Sequence, residues 1–183
     1  VWTLIVASGP SLTRSDCDAL RGKVDQCIAV NCAIFVCPWA DILYAADGKW
    51  WRHYGKDVAW FKGERASMTY RKPGVTHYRP KLFPRTGGNS GHQALTMAVE
   101  RGAKHVALLG FDHKEGPGGK KHYHGDHPDG LGNANSLPNW AGRMNHTAIE
   151  IAAMGVEVVN LTRDTALRCY PRMTVEDFVK GLA

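Results

Sequence analysis

Trp2-Thr-Leu-Ile-Val-Ala7, running straight into Ser8-Gly9-Pro10-Ser11, is the stretch on which the fold turns. Six residues pass with no charged side chain and no polar alternation, and the run stops at a turn built from small residues. Strands buried on both faces read this way, as the parallel strands of an α/β sheet do. Behind the turn, residues 12–22 carry Leu12, Cys17 and Leu20 on one face, with Gly22 as a stop, which predicts a short helix.

The same alternation continues outward. CIAVN (27–31) predicts a second strand and residues 41–46 a third, ending at Asp47-Gly48 before a short aromatic helix in KWWRHYG. Residues 56–85 are less regular; VAWF and VTHYR predict short strands, antiparallel edges among the options. Thr86-Gly-Gly-Asn-Ser-Gly91 leads into a helix with Ala94, Leu95, Ala98 and Val99 on one stripe and Gly102 at its end. HVALLGF (105–111) predicts another buried strand. Residues 112–138, rich in Gly, His, Lys and Asp, lack an apolar period and predict a lid or binding loop. A helix follows with Ala141, Met144, Ala148, Ile151 and Ala152 inward, then a strand at 156–161 and a terminal helix capped by Thr174. The expected architecture is a single Rossmann-like domain, a mostly parallel sheet with helices on both faces.

Bulk properties agree. The chain has 183 residues, a length that suits one domain burying roughly 70% of its unfolded surface. Its 44% hydrophobic and 22% charged residues are ordinary for a globular protein. No apolar run approaches the ~20 residues of a membrane span, and the opening segment lacks the basic start of a signal peptide. The expectation is a cytoplasmic protein without a membrane span. The five cysteines are odd in number and form no CxxC, so they predict free thiols serving as small hydrophobes, with no zinc site. Net charge is +6, but the basic residues are scattered. That balance suits an anionic small substrate at least as well as nucleic acid, which is the less favoured partner.

In such sheets ligands gather beyond the carboxyl ends of the strands. There the sequence sets Gly9, Pro10 and Ser11 after strand one, Asn31 after strand two, Asp47 after strand three, and Asp112 with His113 after the 105–111 strand. Gly9 would let backbone approach a ligand closely, while Ser11 would offer a hydroxyl and amides at a helix start. Asn89 and Ser90 repeat that arrangement before the later helix. The alternative for each is a turn former or cap. HYHGDHP supplies His122, His124, Asp126 and His127, suited to proton transfer because imidazole titrates near neutrality. The expected site holds no metal, since this spacing matches no zinc pattern. Trp39, Trp50 and Trp51 read as core residues or as a wall for stacking a base.

These residues carry a resemblance. ASGPSL (7–12), AVN (29–31), the Gly-rich entry to the 92–104 helix and HVALLGFD (105–112) resemble the ordered motifs of bacterial sialyltransferases. They are equally similar to the 6-hydroxymethylpterin diphosphokinase-like family. The first resemblance implies a nucleotide-sugar held by the Gly-Pro-Ser turn and Asn31, a histidine base and no essential metal. The second implies pyrophosphoryl transfer from ATP with magnesium, Gly118 to His122 following Asp112 as a Gly-rich segment ending in His does there. Over nearly its whole length the chain also resembles phage proteins of a morphogenetic type, through PWADILYAADGKWW, GGNSGHQAL, HYHGDHP and GVEVVNLTRDTALRCYP. The tyrosine pair of sialyltransferases is not evident beyond Tyr123.

The sequence therefore predicts a phage-encoded transferase in the host cytoplasm, using a nucleotide-activated donor (a CMP- or UDP-sugar) and requiring no cofactor. ATP with magnesium is the enzymatic alternative, and a phage assembly or DNA-associated protein the non-catalytic one. Gly9, Pro10, Ser11, Asn31, Asp47, Asn89 and Ser90 would bind the nucleotide, and Lys120 and Lys121 the departing phosphate. Asp112 would orient the site, with His122 or His124 as base. The acceptor stays open.

Overall fold

The computed structural model describes residues 1–83, 89–134 and 136–182. Within these residues seven strands form one sheet: β1 (Trp2–Val6), β2 (Gln26–Val30), β3 (Ile42–Tyr44), β4 (Glu64–Ser67), β5 (Thr76–His77), β6 (His105–Leu109) and β7 (Glu157–Asn160). Their order is β5-β4-β3-β2-β1-β6-β7, and every neighbouring pair is parallel. The arrangement is α/β and Rossmann-like. Chain order runs outward from β1 on one side and restarts with β6 on the other, so β1 and β6 flank the point where a Rossmann sheet opens a crevice.

Among the described residues, five α-helices cover the two faces: α1 (Arg14–Leu20), α2 (Gly48–Tyr54), α3 (Ser90–Glu100), α4 (Leu137–Ala153) and α5 (Val175–Gly181). Successive side chains of a strand point to opposite faces. Leu4 and Val6 of β1 accordingly join a core with Cys17 and Leu20 of α1, Trp50 and Trp51 of α2, and Phe178 of α5. Ile5 joins the opposite core with Leu95 and Met97 of α3 and with Met144 and Ile151 of α4. Burial on both faces is why β1 reads as an unbroken apolar run. Small polar side chains start the helices. Thr13, Asp47, Asn89 and Thr174 each accept a backbone N–H from the first turn of α1, α2, α3 and α5.

Several expectations are corrected. VAWF (58–61) is a turn, not a strand: Val58 and Phe61 are buried, and the Arg65 guanidinium donates to the carbonyls of Val58, Ala59 and Phe61. The strand in that region is β4, where Ala66 and Ser67 are the fully buried residues. VTHYR shortens to the two residues of β5, which pair parallel and not antiparallel. Ala152, expected inward on α4, is exposed. Thr86, Gly87 and Gly88 of the predicted Gly-rich turn lie outside the described residues. No helix among the described residues is long and apolar enough to cross a membrane.

Candidate functional site

At the carboxyl end of the sheet, β1 and β6 are tied together beyond their last paired residues. Ala7 N–H donates to Leu109 O (2.8 Å) and Gly9 N–H to Gly110 O (2.9 Å). Asp112 closes this seam. Its side chain is buried, and Oδ2 accepts the Ser11 backbone N–H at 2.8 Å. A Cβ on Gly9 would collide with Asp112 Oδ1 and stand 2.5 Å from Gly110 O. The glycine is thus required by the protein's own carboxylate and backbone, where the sequence suggested room for a ligand. Ser11 is committed as well. Its amide serves Asp112, its hydroxyl accepts from Asp164 N–H at 3.4 Å, and it lies outside the cleft lining.

Above the seam opens a cleft of about 360 Å³. Ser8, Gly9 and Pro10 line it from the end of β1, Asn31 from β2, Asp47 and Trp50 from the β3–α2 junction, and Asn89 and Ser90 from the start of α3. Asp112, His113 and Lys114 enter from β6, and Lys121, His122, His127, Asn133 and Trp140 from the segment after it. Of the predicted residues, Gly9, Pro10, Asn31, Asp47, Asn89, Ser90, Asp112, Lys121 and His122 therefore share one space. Ser11, Lys120 and His124 do not line it, and Lys120 is exposed. Asp47 and Asn89 combine both readings, since each caps a helix and also borders the cleft.

Backbone geometry marks the same place. The three non-glycine residues with positive φ among the described residues are Asn31 (53°), His113 (51°) and Ala134 (49°), and all three line the cleft. Left-handed backbone is uncommon outside glycine and collects at functional sites.

Burial sets the electrostatics. It pushes the Asp112 carboxyl up to about 6, against the lowering effect of the hydrogen bonds from Ser11. Its Oδ1 is buried with no hydrogen-bond partner. Burial pushes the His113 imidazole down to about 4, and lowers His122 as well. His122 Nε2 is likewise buried without a partner. Among the described residues, two lysines line the cleft, Lys114 paired to Asp164 at 2.7 Å and Lys121 with Glu115 at 4.0 Å.

The predicted lid is not an unanchored flap. Tyr123 N–H donates to Ser8 O at 3.1 Å, and the Tyr123 hydroxyl donates to Cys32 O at 2.7 Å. Those two bonds fix the middle of the His-rich segment over the ends of β1 and β2. Asn135, within the predicted lid, lies outside the described residues.

Fixing Tyr123 brings its neighbours onto Cys32. The ligand atoms of Cys32, His124 and His127 all lie within 4.8 Å of one another. The rings of His122, His124 and His127 cluster with centroids 4.7–5.2 Å apart. The sequence reading missed this thiol because it treated all five cysteines as packing residues. The signal was Cys32 following Asn31 directly, which sets a sulfur on the same strand-end rim. All five cysteines are unbonded thiols. Trp50 and Trp51 are core residues, though the Trp50 indole N–H reaches Cys32 Sγ at 3.4 Å.

None of the protein families, curated proteins or solved structures compared with this chain matches it.

Proposed function

We propose that this chain is a transferase that seats a nucleotide-activated donor in the strand-end cleft and passes its activated group, a glycosyl unit, to an acceptor hydroxyl. One observation carries the reading: Asn31, Asp112 and His122 reach a single cleft from separate parts of the chain, and Asp112 Oδ1 and His122 Nε2 are buried there without partners. Buried polar atoms left unpaired are costly, and a catalytic role is one reason for a protein to keep them.

In this reading Asp112 is a positioning group, since its bond to Ser11 N–H locks the first turn against the end of β6. His122, held neutral by burial, accepts the acceptor's hydroxyl proton. The acceptor oxygen bonds to the donor carbon as the bond from that carbon to the nucleotide phosphate breaks. The negative charge left on the phosphate lies near Lys114 and Lys121.

A thermal-shift screen tests the reading. CMP or UDP without divalent metal should raise the melting temperature. Stabilisation by ATP with magnesium alone would move the chain to pyrophosphoryl transfer, and stabilisation by none of them would favour an assembly role. With the stabilising nucleotide in hand, His122→Ala should retain binding yet lose roughly 10²–10⁴-fold in release of nucleotide from the sugar donor.

A further inference from the structure

Beside the cleft, Cys32, His124 and His127 form a second chemical cluster that the transfer reading does not use. Their ligand atoms, one sulfur and two imidazole nitrogens, lie within 4.8 Å of one another, with Cys32 buried at the start of the turn after β2. In a tetrahedral zinc site, metal–sulfur and metal–nitrogen bonds of about 2.3 and 2.0–2.1 Å set ligand atoms roughly 3.3–3.7 Å apart. Contraction by about 1 Å would bring the cluster to that geometry, within reach of side-chain rotation on a Gly-bearing loop.

Supporting contacts are already present. Trp50 indole N–H points at Cys32 Sγ (3.4 Å), a donor of the type that stabilises a metal thiolate. The Tyr54 hydroxyl stands 3.4 Å from His127 Nδ1 and is poised to fix that ring. Tyr123, between His122 and His124 in sequence, bonds the Cys32 carbonyl and so ties the loop to the thiol-bearing turn. His127 also lines the cleft.

We propose that Cys32, His124 and His127 bind one zinc-class divalent ion, with its fourth position open toward the cleft. Three protein ligands with an open fourth position are the pattern of catalytic zinc, and a thiolate with imidazoles selects borderline-soft metals over magnesium or calcium. The thiol proton leaves to solvent as the metal–sulfur bond forms. A bound ion would face the cleft, where it can polarise an oxygen of whatever is seated there. The site stands on these ligands alone and does not depend on the transfer reading.

Cobalt titration of the full chain, purified without an affinity tag, tests it. Wild-type protein should take up one equivalent and develop a thiolate-to-cobalt charge-transfer band that zinc abolishes. Cys32→Ser should lose the band. His124→Ala and His127→Ala should weaken affinity by at least the roughly 10–100-fold that losing a supporting partner costs a metal site. Cys169→Ser and His146→Ala, which alter a thiol and an exposed imidazole elsewhere, should bind as wild type. Far-ultraviolet circular dichroism on each variant separates lost binding from lost folding, and His124, on the loop, remains informative if Cys32→Ser fails to fold. No uptake by wild-type protein, or an unchanged affinity in folded His124→Ala and His127→Ala, would overturn the site.

Discussion

At the scale of single residues, Gly9 and Asp112 act as one device. The carboxylate occupies the space where any other residue at position 9 would carry its Cβ, and Gly110 O bounds the same space. Gly9→Ala should therefore lower stability by about 1–3 kcal/mol, as overpacking does. Urea denaturation reads this directly. If the glycine only made room for a ligand, the midpoint would stay and binding alone would fall. A strand-to-helix glycine was legible in the sequence, but its reason was not, because the group that demands it lies about a hundred residues later. Asp112 was legible as a strand-end carboxylate, and its burial became visible only with the fold. Cys32 shows the converse case, in which a residue read as filler acquires chemistry from neighbours far along the chain.

Among the elements, α3 carries a buried imidazole and the segment after β6 a half-buried one. His92 of α3 is fully buried, bonds Thr147 Oγ1 of α4 at 2.7 Å, and is pushed down to about 4, mainly by burial. His113 is pushed down equally. Unfolded, each would titrate near about 6.5. Between about pH 4 and 6.5 the unfolded chain then holds more protons, so stability falls as pH drops through that window, by at most about 3 kcal/mol per ring. Asp112 works the other way. Its raised folded value means that its contribution is present at low pH and lost as pH rises through about 6. Two imidazoles outweigh one carboxyl, so the urea midpoint should fall from pH 7 to pH 5, and His92→Gln should make that fall shallower. An unchanged fall would show that His92 does not titrate differently on folding. The apolar elements were legible: β1, β2, β3, β6 and β7 announce themselves by unbroken buried runs. Strands β4 and β5 were not, since β4 buries only its last two residues and both residues of β5 are exposed, which leaves no apolar run to read.

For the molecule as a whole, parallel pairing points every strand's carboxyl end the same way, and the reversal of chain order between β1 and β6 opens the cleft there. That rule let the sequence name residues that share a space though they are far apart along the chain, Asn31 and Asp112 among them. It did not reveal the Cys32, His124 and His127 cluster beside the cleft, because nothing in the local sequence shows that the bonds of Tyr123 to Ser8 and Cys32 fold the His-rich loop back onto that thiol. A second concavity, lined by Asp16, Thr162, Arg163, Arg172 and Thr174, is the natural competitor, although Arg163 there is already paired to Asp16 and Arg172 to backbone carbonyls. Hydrogen exchange with and without saturating CMP or UDP discriminates the two by position. Protection should appear at residues 8–12, 31–36 and 113–133, with residues 162–175 unchanged; protection confined to 162–175, or none anywhere while the nucleotide demonstrably binds, would contradict a donor site at the β1–β6 cleft.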